Sequence, residues 1–242
     1  MSEFKIPTET IELPSKGLLY PEGSELAKGT IEMSYMTAKH EDILTNQTYI
    51  KNGTVLDKLM KSLIVSKINY DDLLIGDKNA IMVAARVLGY GKDYTFEYGG
   101  EDVTVDLSTL DNKPLHPTVE AATNNEFSFT LPHSGNNITF RFLTHKDEQD
   151  ITRELEGLKK INKDSSPELS TRMKYLITSV EGKTEKKDIR DFVDNYLLAK
   201  DSRALREYIK EIQPDVDMSF FPSEGSNRIS IPVGIQFFWP DF

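Results

Sequence analysis

Residues 77–107 read DKNAIMVAARVLGYGKDYTFEYGGEDVTVDL, and two different periodicities meet within this stretch. Its first half repeats apolar residues at the spacing of one helix face, which predicts a helix capped by Asp77 and ended by Gly89 or Gly91. The residues of that face are Ile81, Ala84, Ala85 and Leu88. From residue 94 onward apolar and polar residues alternate, and Gly99-Gly100 separates two such runs, which predicts an antiparallel β-hairpin. A helix followed directly by a hairpin favours an α+β fold.

The sequence before this stretch predicts a β arm and further helices. Alternating runs within residues 8–36 predict two strands joined by a long connection rich in proline and glycine. Thr37 is predicted to cap a helix that carries acidic residues in its first turn. Apolar spacing over residues 56–64 predicts a second short helix. Residues 37–91 are therefore expected to form a compact helical block.

The sequence after this stretch predicts a second hairpin and then four amphipathic helices. The hairpin is expected over residues 127–142. The helices are expected between residues 146 and 213, where apolar residues recur at helical spacing. Their apolar residues are Ile151, Leu155 and Leu158, then Leu169, Met173, Leu176 and Val180, then Ile189, Phe192, Val193 and Tyr196, then Leu205, Tyr208, Ile209 and Ile212. Ser166 and Asp201 are predicted to cap the second and fourth of these helices, and Pro214 lies just past the last.

These patterns together predict an α+β protein with a helical core, small antiparallel β-hairpins and β segments near both termini. At 242 residues, 38% of them hydrophobic, the chain can bury a sizeable core and lies between one large and two small domains. We expect residues 1–145 to hold the N-terminal β arm, the helical block and the hairpin region. Residues 146–242 are expected to form a helical domain with a C-terminal β and aromatic tail.

The charge and cysteine content exclude several classes of function. A formal net charge of -10, from 39 acidic and 29 basic residues, repels nucleic-acid phosphates and anionic membrane surfaces. The absence of cysteine excludes disulfides, thiol catalysis and thiolate metal sites, and it fits a reducing compartment. No signal-peptide pattern and no stretch of about 18 apolar residues is present. We therefore predict a cytoplasmic protein that binds neither nucleic acid nor membranes.

Residues that could carry catalysis or bind a metal are scattered. The four histidines show no zinc-binding spacing and are predicted to be surface or loop residues; they are His40, His116, His133 and His145. Asp71-Asp72 and Asp215-x-Asp217 are the best carboxylate pairs for Mg²⁺ or Ca²⁺, but neither extends into a cation-binding loop. We predict no catalytic residue, no cofactor and no metal. A hydrolase that uses a carboxylate-bound divalent metal is the alternative from another class.

Two segments are candidates for contacts with other proteins. The loop LPSKGLLYP sets apolar residues among turn-forming ones, which suggests docking onto this fold or onto a neighbour. The C-terminal FFWP holds the only tryptophan, and aromatic residues dominate interface hot spots; the alternative is a strand that fills the protein's own core. The candidate contact residues are Leu13, Pro14, Lys16, Gly17, Leu18, Leu19, Tyr20 and Pro21 in the loop and Phe237, Phe238, Trp239 and Pro240 in the tail.

Several of these stretches resemble one family. The segments IELPSKGLLYPEGSELAKGTIEMSYMTAKHEDILTN, GTVLDKLMKSLI, DDLLIGDKNAIMVAARVLGYGKDY and the terminal FFWP are similar to the baseplate hub and hub-assembly proteins of T-even-like contractile-tailed phages. The likeness is strongest over residues 11–98 and returns at 126–147 and 228–242. Hairpins such as 94–107 and 218–236 look similar to zinc-ribbon knuckles, but neither turn has a cysteine here, so a zinc site is not carried over.

The resemblance implies a non-enzymatic role in building the central hub of a contractile tail baseplate. The implied partners are other baseplate hub or tail proteins, and self-association is left open. Two roles follow from it, a chaperone-like factor that leaves before maturity and a permanent structural subunit. The first implies a location in the host cell cytoplasm during assembly, and the second a location in the virion tail baseplate.

Overall fold

The structure, a computed structural model, describes residues 5–161, 167–221 and 228–238. Helical residues make up 47% of the structure and strand residues 20%. The strands form small antiparallel sheets of two or three strands. This composition confirms the predicted α+β class. No helix in these three ranges has the length and apolar character needed to cross a membrane.

Helices and short sheets alternate along the described chain. The helices are α1 Ala38–Leu44, α2 Gln47–Lys51, α3 Val55–Leu63, α4 Ile75–Tyr90, α5 Pro117–Glu120, α6 His145–Ile161, α7 Glu168–Leu176, α8 Lys186–Asn195 and α9 Ala199–Ile212. The strands are β1 Thr8–Glu12, β2 Thr30–Ser34, β3 Asp93–Tyr98, β4 Glu101–Asp106, β5 Phe127–Thr130, β6 Asn137–Phe140, β7 Ile177–Val180, β8 Ser219–Phe220 and β9 Ile229–Ser230. Short 3-10 turns lie at Glu25–Lys28, Tyr70–Asp72, Leu107–Thr109 and Ile235–Phe238.

The strands pair as four separate antiparallel sheets. β1 pairs with β2, β3 with β4, and β8 with β9, while β5, β6 and β7 form a three-stranded sheet in that order. In the β3–β4 hairpin Asp93 lies opposite Asp106, and the turn falls at Gly99-Gly100 as predicted. The predicted N-terminal β arm and both hairpins are therefore confirmed.

Strand β7 corrects the sequence prediction of one long helix through Val180. Helix α7 ends at Leu176, and the next four residues form a strand that pairs with β6. Three of those four residues, Ile177, Thr178 and Val180, are β-branched, and such residues favour a pleated surface over a helix. Pairing with an existing hairpin adds cross-strand contacts that an additional helical turn would lack.

The predicted helix caps are partly correct. Thr37 precedes α1, and its backbone nitrogen and its hydroxyl oxygen each lie 2.9 Å from the Nδ1 atom of His40. Gly91 ends α4 with a φ of 83°, as predicted. The cap predictions for Asp77 and Asp201 are wrong, because α4 and α9 begin two residues earlier and both aspartates lie inside the first turn. Ser166, the other predicted cap, lies outside the described residues.

The buried apolar side chains form one continuous cluster. It draws on residues from Leu13 near the start of the chain to Phe238 near its end. The largest fully buried side chains include Phe140, Phe142 and Phe237. Residues on both sides of the predicted boundary at residues 145 and 146 contribute to this cluster, and α6 begins at that boundary. The two-part division stays a prediction.

Candidate interaction surface

The loop of residues 13–21 is fastened to helix α4 by a buried aspartate. One carboxylate oxygen of Asp77 accepts a hydrogen bond from the backbone N–H of Ser15 at 2.9 Å. Its other oxygen accepts from the hydroxyls of Ser15 and Tyr20, both at 2.6 Å. The Tyr20 oxygen in turn accepts from the N–H of Leu74 at 3.0 Å. These four bonds tie the loop to the first turn of the central helix.

Burial governs the protonation of this network. Only 1% of Asp77 is exposed, and burial raises the pKa of its carboxyl group above the usual value, although the bonds from Ser15 and Tyr20 act against this. Burial and then the charge of Asp77 also raise the pKa of Tyr20 far above its ordinary range. Tyr20 therefore stays protonated and remains a hydrogen-bond donor to the carboxylate.

The backbone of the loop is held in an unfavourable conformation. Lys16 has a φ of 50°, which is uncommon for a residue with a side chain, and Gly17 follows with a φ of 78°. A Cβ atom at Gly17 would lie 2.4 Å from the carbonyl oxygen of Ala27, so only glycine fits there. Strained backbone of this kind persists where the surrounding structure over-determines it, and it is common at functional sites.

The exposed side of this loop is small and partly apolar. Lys16, Leu18 and Pro21 are exposed, and we call these three residues the Leu18 turn. Leu18 is 41% exposed. The other candidate contact residues of the loop are buried in the protein's own interior and present no surface; they are Leu13, Pro14, Gly17, Leu19 and Tyr20.

The described part of the C-terminal tail is packed inside the protein. Phe237 is 1% exposed and Phe238 is 0% exposed. The ring of Phe237 meets the ring of Tyr94 edge-on, with 4.8 Å between centroids, and lies 5.2 Å from that of Phe238. These two phenylalanines fill the core, the alternative stated for this segment. Trp239 and Pro240 lie outside the described residues.

The β3–β4 hairpin and the β8–β9 pair contact each other through aromatic rings. Phe96 on β3 and Phe220 on β8 meet edge-on with 5.8 Å between ring centroids. Phe96 also stacks on Tyr94 at 5.4 Å, and the Tyr94 hydroxyl donates to the carbonyl of Pro232 at 3.3 Å. A row of aromatic side chains thus connects the two hairpins to the buried tail.

The prediction that all four histidines are surface or loop residues is wrong for two of them. His40 is buried in the first turn of α1, where its ring accepts a hydrogen bond from the N–H of Thr37. His145 is 2% exposed, and its Nδ1 atom lies 3.1 Å from the Lys78 ammonium group. Burial and the charge of Lys78 lower the pKa of His145, so its ring is neutral at neutral pH. His133 is exposed, as predicted.

The candidate metal-binding carboxylates are engaged by neighbouring side chains. Their side-chain partners are Lys61 for Asp71 at 3.4 Å, Asn69 for Asp72 at 2.9 Å, Asn79 for Asp215 at 2.9 Å, and Ser219 at 2.6 Å together with Arg228 for Asp217. Among the residues that the structure describes, no three histidine, aspartate or glutamate side chains are grouped so that they could hold a metal ion.

Comparisons of this chain with protein-family models, with curated proteins and with solved structures found no match.

Proposed function

We propose that this chain is an assembly factor for the baseplate hub of a contractile phage tail, and that it acts by contacts with other hub or tail proteins. Two observations support the proposal. The sequence of residues 11–98 resembles that family, and this range contains the Leu18 turn. The observation that carries it is an exposed leucine on a strained loop whose backbone is fastened to the core by Asp77.

A fixed loop is suited to binding because little freedom is lost when a partner arrives. Ordering an exposed loop on binding normally subtracts from the affinity. In this loop, Asp77 and the close approach of Gly17 to Ala27 have already set the backbone. Covering a leucine side chain contributes about 1.5–3 kcal/mol when burial is complete. The exposed part of Leu18 can therefore contribute to binding at a low entropic cost.

The proposal predicts that Leu18→Ser impairs assembly without unfolding the protein. We expect the variant to lower the yield of complete tails by about tenfold or more when it replaces the wild-type chain in the phage that encodes it. The measurement is the infectious titre together with electron-microscope counts of baseplates. Leu198→Ser is the matched control, because Leu198 is 49% exposed and directly precedes α9 instead of lying in the loop of residues 13–21.

Two results would contradict these ideas separately. Complete baseplates in a phage that lacks this chain would overturn the assembly function itself. A normal yield with Leu18→Ser, with equal thermal midpoints for wild type and variant, would remove the Leu18 turn from the contact surface. We favour the transient, chaperone-like role. Mass spectrometry of purified particles beside infected-cell lysate tests it, since a chaperone is abundant only in the lysate and a permanent subunit keeps a fixed ratio to the hub proteins in particles.

A further inference from the structure

A groove between α6, α7 and α9 collects basic side chains on an otherwise acidic protein. It has a volume of about 260 Å³. Its rim carries Lys113, Arg172, Arg206 and Lys210, and we call this site the basic groove. Its apolar lining consists of Ile75, Leu143, Met173, Leu176 and Ile209. Glu148, Gln213 and Asp215 complete the lining. The groove therefore combines apolar side chains with four basic and two acidic ones, and its net charge is positive.

Three of the four basic side chains in this lining form no ion pair with the described residues, although Asp215 also lines the groove. Arg172 forms ion pairs with Glu148 and Glu168. Within the described parts of the chain, Lys113, Arg206 and Lys210 form no ion pair. Arg206 and Lys210 are also exposed and four residues apart on α9, a spacing at which like charges weaken a helix. An acidic group from outside the chain would relieve this repulsion.

The tip of the β3–β4 hairpin has the complementary character. Tyr98 is 49% exposed there, and its carboxylate neighbours Glu97, Glu101 and Asp102 are exposed as well. Glu97 lies directly opposite Asp102 across the two strands, an arrangement in which like charges lower stability. None of these three acids forms an ion pair with any described residue. We call Glu97, Tyr98, Glu101 and Asp102 the acidic tip.

We propose that the acidic tip of one copy of this chain docks into the basic groove of a second copy. Tyr98 would enter the apolar floor of the groove, and the carboxylates beside it would meet the ammonium and guanidinium groups of the rim. Each surface carries like charges that lower the stability of the free chain, and contact between the two surfaces removes both repulsions at once. The inference does not rest on the proposed assembly function, because both surfaces are present on this chain.

The contact joins two different surfaces, so it is heterologous. Such contacts close into rings or continue as open chains. One hairpin tip in one groove is a small interface, and its charges are accessible to salt, so the association is expected to be weak and to decrease as ionic strength rises. We expect a dissociation constant on the order of 10–1,000 μM in dilute salt.

Sedimentation equilibrium of the full chain tests the proposal. The wild type should associate in about 0.05 M salt and be monomeric in about 0.5 M salt. The groove variant Arg206→Glu/Lys210→Glu and the tip variant Glu101→Lys/Asp102→Lys should each associate at least about tenfold more weakly. Lys187→Glu/Lys200→Glu is the control for the groove variant, because it changes the net charge equally at exposed positions outside the groove.

Mixing the two variants separates a specific contact from a general charge effect. The groove variant keeps an acidic tip and the tip variant keeps a basic groove, so an equimolar mixture should form heterodimers although each variant alone associates only weakly. A carbodiimide, which joins an ammonium group to a carboxylate as an amide with loss of water, should then link Lys113 of the tip variant to Glu97, Glu101 or Asp102 of the groove variant.

Three results would overturn the proposal. The first is a wild type that stays monomeric at about 1 mM protein in dilute salt. The second is self-association that survives in the groove variant or is lost equally in the Lys187→Glu/Lys200→Glu control. The third is a mixture of the two variants that remains monomeric. A wild type that stays monomeric but binds an unrelated acidic peptide through the groove would assign the groove to another protein.

Discussion

Asp77 and Asp201 occupy the same position in two different helices, and each holds a distant loop. Each is the third residue of its helix, α4 or α9, and each is buried. Asp77 binds the loop of residues 13–21, which precedes it by about 60 residues. Asp201 accepts from the backbone N–H groups of His133 and Ser134, in the turn between β5 and β6, at 2.8 and 3.0 Å. The positive end of each helix favours the carboxylate.

The two aspartates differ in the groups that donate to them. Asp77 receives two hydroxyl bonds and one backbone bond, whereas each oxygen of Asp201 receives a bond from a backbone N–H. Burial raises the pKa of Asp77. Burial also acts to raise the pKa of Asp201, but hydrogen bonds from the N–H of His133 and from the side chain and N–H of Ser134 outweigh it, and the pKa is lowered. A backbone N–H can only donate, so the turn at Asp201 requires an acceptor at both oxygens, while hydroxyls can reorient.

The largest loss of stability is expected when the Asp77 carboxylate is removed altogether. Asp77→Ala leaves the Ser15 N–H and the hydroxyls of Ser15 and Tyr20 without their acceptor inside the protein. We expect the free energy of unfolding, measured by urea denaturation, to fall by about 3 kcal/mol or more. Asp42→Ala is the control, since Asp42 is exposed on α1, and its effect should stay within about 0.5 kcal/mol. A loss below about 1 kcal/mol for Asp77→Ala would mean that the network does not fasten the loop.

The comparison also shows which parts of the fold the sequence could predict. Helix and hairpin positions follow from local periodicity, so α3, α4 and the β3–β4 hairpin lie where the pattern placed them. An aspartate at a helix start looks like a cap, and nothing near Asp77 or Asp201 in sequence indicates a loop some 60 residues away. Both anchors were therefore predicted as caps. The strand conformation of β7 likewise depends on residues far away in the sequence. Its pairing with β6 overrides the helical spacing that precedes it.

The candidate surface was predictable only in part for a related reason. Apolar residues between a glycine and a proline drew attention to the loop of residues 13–21. However, two adjacent leucines differ in burial there: Leu18 is 41% exposed and Leu19 is 3% exposed. That difference depends on the left-handed backbone at Lys16 and on the Asp77 anchor. Neither is encoded in a local pattern, so the sequence could point to the loop but not to its exposed side.

An intermediate loss of stability is expected when the carboxylate of Asp77 or of Asp201 is replaced by an amide of the same shape. Asp201→Asn turns an NH₂ group toward a backbone N–H, so one of two donors loses its acceptor, and we expect a loss of about 2 kcal/mol. In Asp77→Asn the amide oxygen can still accept from the N–H of Ser15, while the NH₂ group faces the two hydroxyl oxygens, whose O–H groups must rotate away. Rotation is open to a hydroxyl but not to a backbone N–H, so we expect a smaller loss, about 1 kcal/mol. Urea denaturation at neutral pH measures both. Equal losses for the two variants would contradict the distinction between hydroxyl and backbone donors.

The smallest effect is expected from a change in pH. The stability difference between wild type and Asp201→Asn and that between wild type and Asp77→Asn should change with pH in opposite directions. The lowered pKa of Asp201 contributes stability that is present above its usual value of 3.8 and is lost as the pH falls through the folded value. The stability difference between wild type and Asp201→Asn should therefore shrink as the pH is lowered from about 7 to about 3.5.

The raised pKa of Asp77 has the reverse consequence, because the protonated form of Asp77 is favoured in the folded state. The charge of nearby Asp215 raises this pKa further. The difference between wild type and Asp77→Asn should then shift in favour of the wild type over the same decrease in pH. Slopes of the same sign for the two pairs, measured from the free energy of unfolding at each pH, would show that burial at Asp77 and the donors at Asp201 do not set the charge states as proposed.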